Sequence, residues 1–293
     1  MINLKGTGVA MVTPFDDKGA VDYNGLKKLT RHLINGGVEY LVVHGTTGEN
    51  VTLTKEEKIK TLACVVEENN GALPVILGLG GNNTAETAKL FSNSIFDQGV
   101  NGILSVSPYY NKPTQEGIYE HYKFISEQSD LPIIMYNVPG RTSSNMLPET
   151  TLRLAELKNI VAIKEASGDM EQIMHLIAHK PKDFYVISGD DPIAFPLAAA
   201  GGDGVISVIG NAFPKEFSDM FRATFANNMD LARELHYKCL PIIPKLFQEG
   251  NPAGVKEVLR FLGVCGNQVR LPLVPVSSQL SADLKKCTDT ILS

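Results

Sequence analysis

Lys164 closes the apolar run Val161-Ala162-Ile163 in the stretch NIVAIKEASGD, residues 159–169. An ammonium at the tip of a buried strand has three readings. The side chain snorkels to solvent. It holds ATP phosphates, as the lysine of a V-A-I-K strand does in protein kinases. Or it sits in a pocket because its amine does chemistry, attacking a carbonyl once burial has released its lone pair. An ordinary lysine, with a pKa of about 10.4, is neutral only about once in 2500 at pH 7, so the third reading needs a desolvated site. A structural ion pair with a carboxylate is its plain competitor. The kinase reading lacks its other parts. The nearest glycine-rich candidate begins Gly78-Leu79-Gly80 but has Asn83 at its third position, and neither H-R-D nor D-F-G occurs.

Other polar residues stand at the ends of neighbouring apolar runs. One run ends in His44-Gly45-Thr46-Thr47-Gly48-Glu49, another in Ser107-Pro108-Tyr109-Tyr110-Asn111. A third ends in Tyr136-Asn137-Val138-Pro139-Gly140-Arg141, a fourth in Ser188-Gly189-Asp190. A phenol at Tyr136, beside Lys164, can shuttle protons to and from a carbinolamine, although a lone tyrosine more often only packs its ring. The glycines around Thr46 and Thr47 let successive amides and two hydroxyls approach a carboxylate, or make a plain turn. Arg141 can grip a second carboxylate bidentately, or is a surface charge. Taken together they describe a site where a 2-oxo acid becomes an imine on Lys164 and a second acidic substrate meets Arg141.

Convergence of these residues requires a scaffold that gathers strand ends. Eight runs rich in Val and Ile recur at 8–14, 39–45, 74–80, 102–108, 132–139, 160–166, 184–190 and 204–210. None has the strict alternation of a half-exposed sheet, so each reads as a parallel strand covered on both faces. Helix patterns lie between them. Leu26, Leu29 and Leu33 share a face of the first, Thr54 and Glu57 form a capping box for the second, and Thr84 reads as the N-cap of a third reaching Gln98. Others begin near 115, 148, 169, 191 and 214. Eight strand–helix beats predict a closed (β/α)8 TIM barrel over residues 1–226, with an open doubly wound sheet as the alternative. Residues 227–293 read as a C-terminal helical extension, broken early by Pro241 and Pro244. In the sixth strand, alternation sends Ala162 and Lys164 to one face and Ile163 and Glu165 to the other.

Composition narrows the class. The 293 residues are 43% hydrophobic and 20% charged, with net charge −5 and no basic block suited to nucleic acid. Cys64, Cys239, Cys265 and Cys287 are scattered, so no C-x-x-C pair points to zinc or redox chemistry. No apolar run approaches the ~20 residues of a membrane span, and GVAMV, stopped by Thr13-Pro14, is too short for a secretory signal. A cytoplasmic, reducing setting is the expectation. His175 and His179 are spaced for one helix face but lack a third ligand, so no metal site is expected. No G-x-S-x-G elbow supports serine hydrolysis.

GTTGE at 45–49, SPYYNKP at 107–113, YNVPGRT at 136–142, IKEASGD at 163–169, SGDD at 188–191 and GVISV at 204–208 resemble the dihydrodipicolinate synthase family. That family lies within the pyruvate-dependent class I aldolases, which include N-acetylneuraminate lyase, and the similarity runs from Gly6 to about Leu273. The resemblance implies that Lys164 forms the Schiff base, Tyr136 donates and accepts the proton, and Thr46 relays it. Tyr110 would complete the relay from a neighbouring subunit. Thr47 would bind the pyruvate carboxylate, Arg141 would receive L-aspartate 4-semialdehyde, and the backbone of Ile206 would border the pyruvate pocket. The implied reaction makes 4-hydroxy-tetrahydrodipicolinate, the committed step of the diaminopimelate route to lysine. It needs no metal or organic cofactor, and it implies a homo-oligomer, a dimer of dimers. A sister lyase acting on a sugar-derived 2-oxo acid and a non-catalytic oxo-acid binder are the alternatives; Arg141 and the Thr46-Thr47 pair favour the synthase.

Family members sensitive to L-lysine bind it at a subunit interface. The matching positions here are Asn50, Lys58, Asn82, Glu86 and Tyr109. Sensitive members commonly carry histidine where this chain has Lys58, and often also at Lys55. A fixed positive charge at Lys58 would repel a cationic effector, which points to weak or absent feedback.

Overall fold

Strand after strand, the Val- and Ile-rich runs pair with their sequence neighbours. They are β1 (Gly6–Ala10), β2 (Tyr40–Val43), β3 (Val75–Gly78), β4 (Gly102–Val106), β5 (Ile133–Asn137), β6 (Ile160–Glu165), β7 (Tyr185–Ser188) and β8 (Gly204–Ser207). All pairs are parallel, and β1 meets β8 from Gly6↔Gly204 to Val9↔Ser207, which closes the barrel and excludes the open sheet. The computed structural model describes residues 2–91 and 99–293.

The pleat sorts side chains into two sets. One fills the barrel interior: Tyr40, Ile76, Ile134, Ala162, Ile187 and Ile206 belong to one buried cluster. The other, including Ile163 and Met135, faces the helices in a second, larger cluster. Tyr40 is fully buried, and its ring fills the space beside Gly8; a Cβ on Gly8 would lie 2.0 Å from that ring. Val255, Val258 and Leu259 of the helix Ala253–Phe261 and Leu280, Leu284 and Ile291 of the helix Ser278–Leu292 join the same outer cluster as the barrel wall. The C-terminal extension therefore buries its apolar faces with the outer layer of the barrel.

Local signals place most helices. Leu26, Leu29 and Leu33 are buried on one face of Tyr23–Asn35. Thr54 and Glu57 form the capping box of Lys55–Asn69. The chain breaks after Met229–Cys239, and Pro244 enters the first turn of Ile243–Phe247. The cap before Glu86 is one residue earlier than expected. Asn83 Oδ1 accepts the amides of Ala85 (3.1 Å) and Glu86 (3.3 Å), while Thr84 is already helical and its hydroxyl meets His121 Nδ1 at 2.8 Å. Asn caps as well as Thr, and a tertiary partner draws Thr84 away. That helix is described over Thr84–Phe91; its expected continuation to Gln98 lies outside the described residues. The strands end sooner than their apolar runs suggest, because residues such as His44, with φ 60, turn out of the ladder to form the mouth.

Candidate active site

β5 and β6 run in a register that sets Tyr136 directly beside Lys164 at the C-terminal mouth. Lys164 Nζ lies 4.3 Å from the Tyr136 ring centroid. Both are buried, at 5% and 7% exposure. No carboxylate lies within ion-pair distance of Lys164 Nζ among the described residues; the nearby Asp190 and Asp191 act on it from farther away. Ala162, one pleat below, is buried in the barrel, and Gly189 at the end of β7 leaves room for the lysine stem; a Cβ there would lie 2.9 Å from Lys164 Cε.

Burial is the main force on the amine, and it brings the Lys164 pKa down to about 8. The Asp191 carboxylate opposes this, Arg141 adds to it and Asp190 opposes it. The Tyr136 phenol is pushed up to about 12, again chiefly by burial, with Arg141 acting the other way. The pair thus holds an amine accessible to its neutral form beside a phenol that keeps its proton.

Behind the barrel wall a buried carboxylate ties the two strands together. Glu165 points to the helix layer, as alternation requires. It accepts hydrogen bonds from Asn137 Nδ2 (3.1 Å), Gln172 Nε2 (3.0 Å) and the Ser167 amide (2.7 Å). Asn137 follows Tyr136 and Glu165 follows Lys164, so this network locks both catalytic candidates through their strand neighbours.

A cavity of about 330 Å³ opens at Tyr136, lined also by Thr46, Tyr109 and Arg141. Arg141 projects from the short helix Pro139–Thr142, which Pro139 starts. Thr47 is buried on the turn Thr46–Gly48, its hydroxyl accepting from Asn251 Nδ2 at 3.0 Å. Ile206 is buried in β8 on the barrel interior. Tyr110 is not brought to Lys164 within the chain. It is 88% exposed, at φ 70, on the loop after β4.

Of the effector candidates, Asn50 and Tyr109 line the cavity, and the Tyr109 amide donates to Asn82 Oδ1 at 3.2 Å. Asn50 Nδ2 donates to the His44 carbonyl. Glu86 pairs with Lys89 at 2.6 Å. Lys58 is half-buried, and its charge adds to the burial that holds His44 down at about 3. Neutral His44 meets Thr61 Oγ1 at 2.8 Å, and that hydroxyl also reaches the Glu57 carbonyl at 2.7 Å. His175 and His179 stack at 4.3 Å on an exposed helix face.

Three residues at the site had no role in the sequence reading. Asp191 is buried after β7, with one carboxylate oxygen accepting the amides of Val208 (3.0 Å) and Ile209 (2.9 Å) and its pKa raised by burial to about 6. Its place in a doubled acidic motif at a strand end was the available signal. Asn251 and Lys256 come from the C-terminal extension, and nothing local announces them.

The family model described as the dihydrodipicolinate synthetase family matches residues 3–291. The 4-hydroxy-tetrahydrodipicolinate synthase of Flavobacterium psychrophilum is 56% identical over 277 residues, 94% of each chain. The solved dihydrodipicolinate synthase of Thermotoga maritima superposes with a TM-score of 0.95 at 45% identity, covering 98% of both chains. The chloride-inhibited enzyme of Acinetobacter baumannii, solved with pyruvate, gives 0.95 at 40% identity over 99% of both. With the match spanning the barrel, the mouth and the C-terminal helices alike, the chain belongs to the dihydrodipicolinate synthetase family.

Proposed function

We propose that this chain condenses pyruvate with L-aspartate 4-semialdehyde to 4-hydroxy-tetrahydrodipicolinate, the entry to the diaminopimelate route, through an imine on Lys164. The pairing of a buried, pKa-lowered Lys164 with Tyr136 across β5 and β6 carries the reading. Neutral Nζ attacks the pyruvate C2 carbonyl. Tyr136 supplies the proton with which the carbinolamine loses water, and the protonated imine draws electrons from the methyl group. A methyl proton leaves, and the enamine carbon attacks the aldehyde, whose oxygen takes a proton. The substrate's own amine then adds to the imine carbon and expels Lys164, closing the ring. One water is lost overall. The protonated imine is the electron sink, so the reading calls for no metal or organic cofactor.

Thr46 relays protons, Thr47 holds the pyruvate carboxylate, Ile206 borders the pyruvate, and Arg141 at the cavity rim receives the carboxylate of the semialdehyde. Tyr110 completes the relay in a neighbouring copy. Its 88% exposure, together with the 84% exposure of Val51, which lines the same cavity as Tyr109, supports assembly into a homo-oligomer, a dimer of dimers in this reading. No helix of the described residues is long and apolar enough to cross a membrane, and a cytoplasmic biosynthetic role fits that. The effector positions Asn50, Lys58, Asn82, Glu86 and Tyr109 form an L-lysine site weakened by Lys58. Borohydride reduction with pyruvate, followed by peptide mass mapping, tests the core of the reading: one reduced pyruvyl group belongs on Lys164, and label on another lysine overturns it. Turnover with pyruvate plus the semialdehyde, and none with a sugar aldehyde, separates the synthase from a sister lyase.

A further inference from the structure

Thr47 has a hydrogen-bond partner that fixes where its proton can go. Asn251 Nδ2 donates to Thr47 Oγ1 at 3.0 Å across 204 residues of sequence. A threonine hydroxyl has one proton and accepts through its lone pairs. With the amide on one lone pair, the proton must point away from Asn251. No protein acceptor takes that proton among the described residues. The bond is also the only one that the Asn251 side chain makes among the described residues, and its Oδ1 is buried without a partner. The amide therefore does little for the fold beyond this contact.

The same region grips the loop a second time. Glu49 ends the turn in the left-handed region, at φ 52, which costs a non-glycine residue. Its carboxylate is buried and held by Lys256 Nζ at 2.5 Å and by the Arg270 amide at 2.9 Å. Lys256 also donates to the Gln268 carbonyl at 2.7 Å. Both ends of the Thr47–Glu49 segment are thus pinned by residues beyond 250.

We infer that Asn251 is a positioning residue that turns the Thr47 hydroxyl proton toward the carboxylate of the incoming 2-oxo acid, so that the C-terminal extension completes the pyruvate site. The inference rests on the reading of Thr47 as the carboxylate donor. Asn251→Ala frees the hydroxyl to rotate. Asn251→Asp, nearly isosteric, reverses the bond: the carboxylate accepts the Thr47 proton and repels the substrate's own charge.

The test is the pyruvate concentration giving half-maximal borohydride labelling of Lys164, measured with KM for pyruvate. Asn251→Ala is expected to raise both about tenfold, the loss of one charge-assisted hydrogen bond. Asn251→Asp is expected to raise them further, with melting temperatures close to the parent's. Added to Thr47→Val, Asn251→Ala should have no further effect on either quantity. An Asn251→Asp protein with parental pyruvate constants overturns the inference, as does full additivity with Thr47→Val. Failure of the parent protein to label at Lys164 overturns the underlying reading instead.

Discussion

Lys164 and Tyr136 occupy paired positions on β6 and β5, with the ammonium nitrogen 4.3 Å from the centre of the phenol ring. The contact holds the amine over an aromatic face rather than on a carboxylate. A carboxylate at that place would keep the lysine charged; here burial dominates and the neutral form becomes accessible. At a pKa of about 8 roughly one lysine in ten is neutral at pH 7. Imine formation should therefore rise with pH up to about 8 and then level. Lys164→Arg should abolish it, since a guanidinium offers no free lone pair at neutral pH.

Burying this amine costs stability. The folded pKa, about 8, lies below the ordinary 10.5, so between these values the unfolded chain binds more protons and stability rises with pH. Below 8 the full penalty applies, roughly 3 kcal/mol. Lys164→Met should melt higher than the parent at pH 7, and its advantage should shrink as pH climbs from 8 to 10.5. A methionine variant no more stable at pH 7 would show that the site does not strain the lysine.

Tyr136→Phe keeps the ring under the ammonium and removes only the proton. Labelling by pyruvate and borohydride should persist, while kcat falls about a hundredfold or more. Near-parental turnover would leave the tyrosine as packing.

Arg141→Ala should impair the second substrate more than the first. Losing a bidentate carboxylate contact weakens semialdehyde use by about tenfold or more, read as its KM, with pyruvate labelling little changed in affinity. Because Arg141 helps to lower Lys164, the acid limb of the pH profile should also move up. Unchanged semialdehyde kinetics would make Arg141 a surface charge.

The Lys256–Glu49 pair is almost wholly enclosed, at 0% and 2% side-chain exposure. Lys256→Met would strand a buried carboxylate on the loop and should cost about 3–5 kcal/mol, seen in denaturant unfolding. Adding Glu49→Gln should restore part of it. Independent, additive losses would mean that the two residues do not depend on each other.

Feedback by L-lysine should be weak. A cation at roughly 6 Å from Lys58, with an effective dielectric near 20, meets a repulsion of about 3 kcal/mol before screening. Burial lowers the Lys58 pKa and so softens the charge, while Tyr109 and Asn82 keep their places. Half-inhibition below about a millimolar would show that the retained residues outweigh it.

Much of the site was legible because barrel chemistry sits at strand ends and strand ends carry a local signature. The run Val161-Ala162-Ile163 marks β6, the two-residue period sends Lys164 inward and Glu165 outward, and both appear so in the fold. The capping box at Thr54 and Glu57 is likewise a matter of four adjacent residues. The Thr84 expectation failed where a distant partner, His121, outbid the local rule. Long-range contacts have no period to read. Asn251 reaches Thr47 across 204 positions and Lys256 reaches Glu49 across 207, because the C-terminal helices pack back on the barrel wall. Residue types and spacing along the chain determined the eight strands, their inward faces and the amine at the mouth. Only the tertiary packing decided how far that amine is desolvated, which carboxylates face it, and which distant side chains hold the Thr46–Glu49 loop, since burial and long-range hydrogen bonds exist only once the barrel has closed.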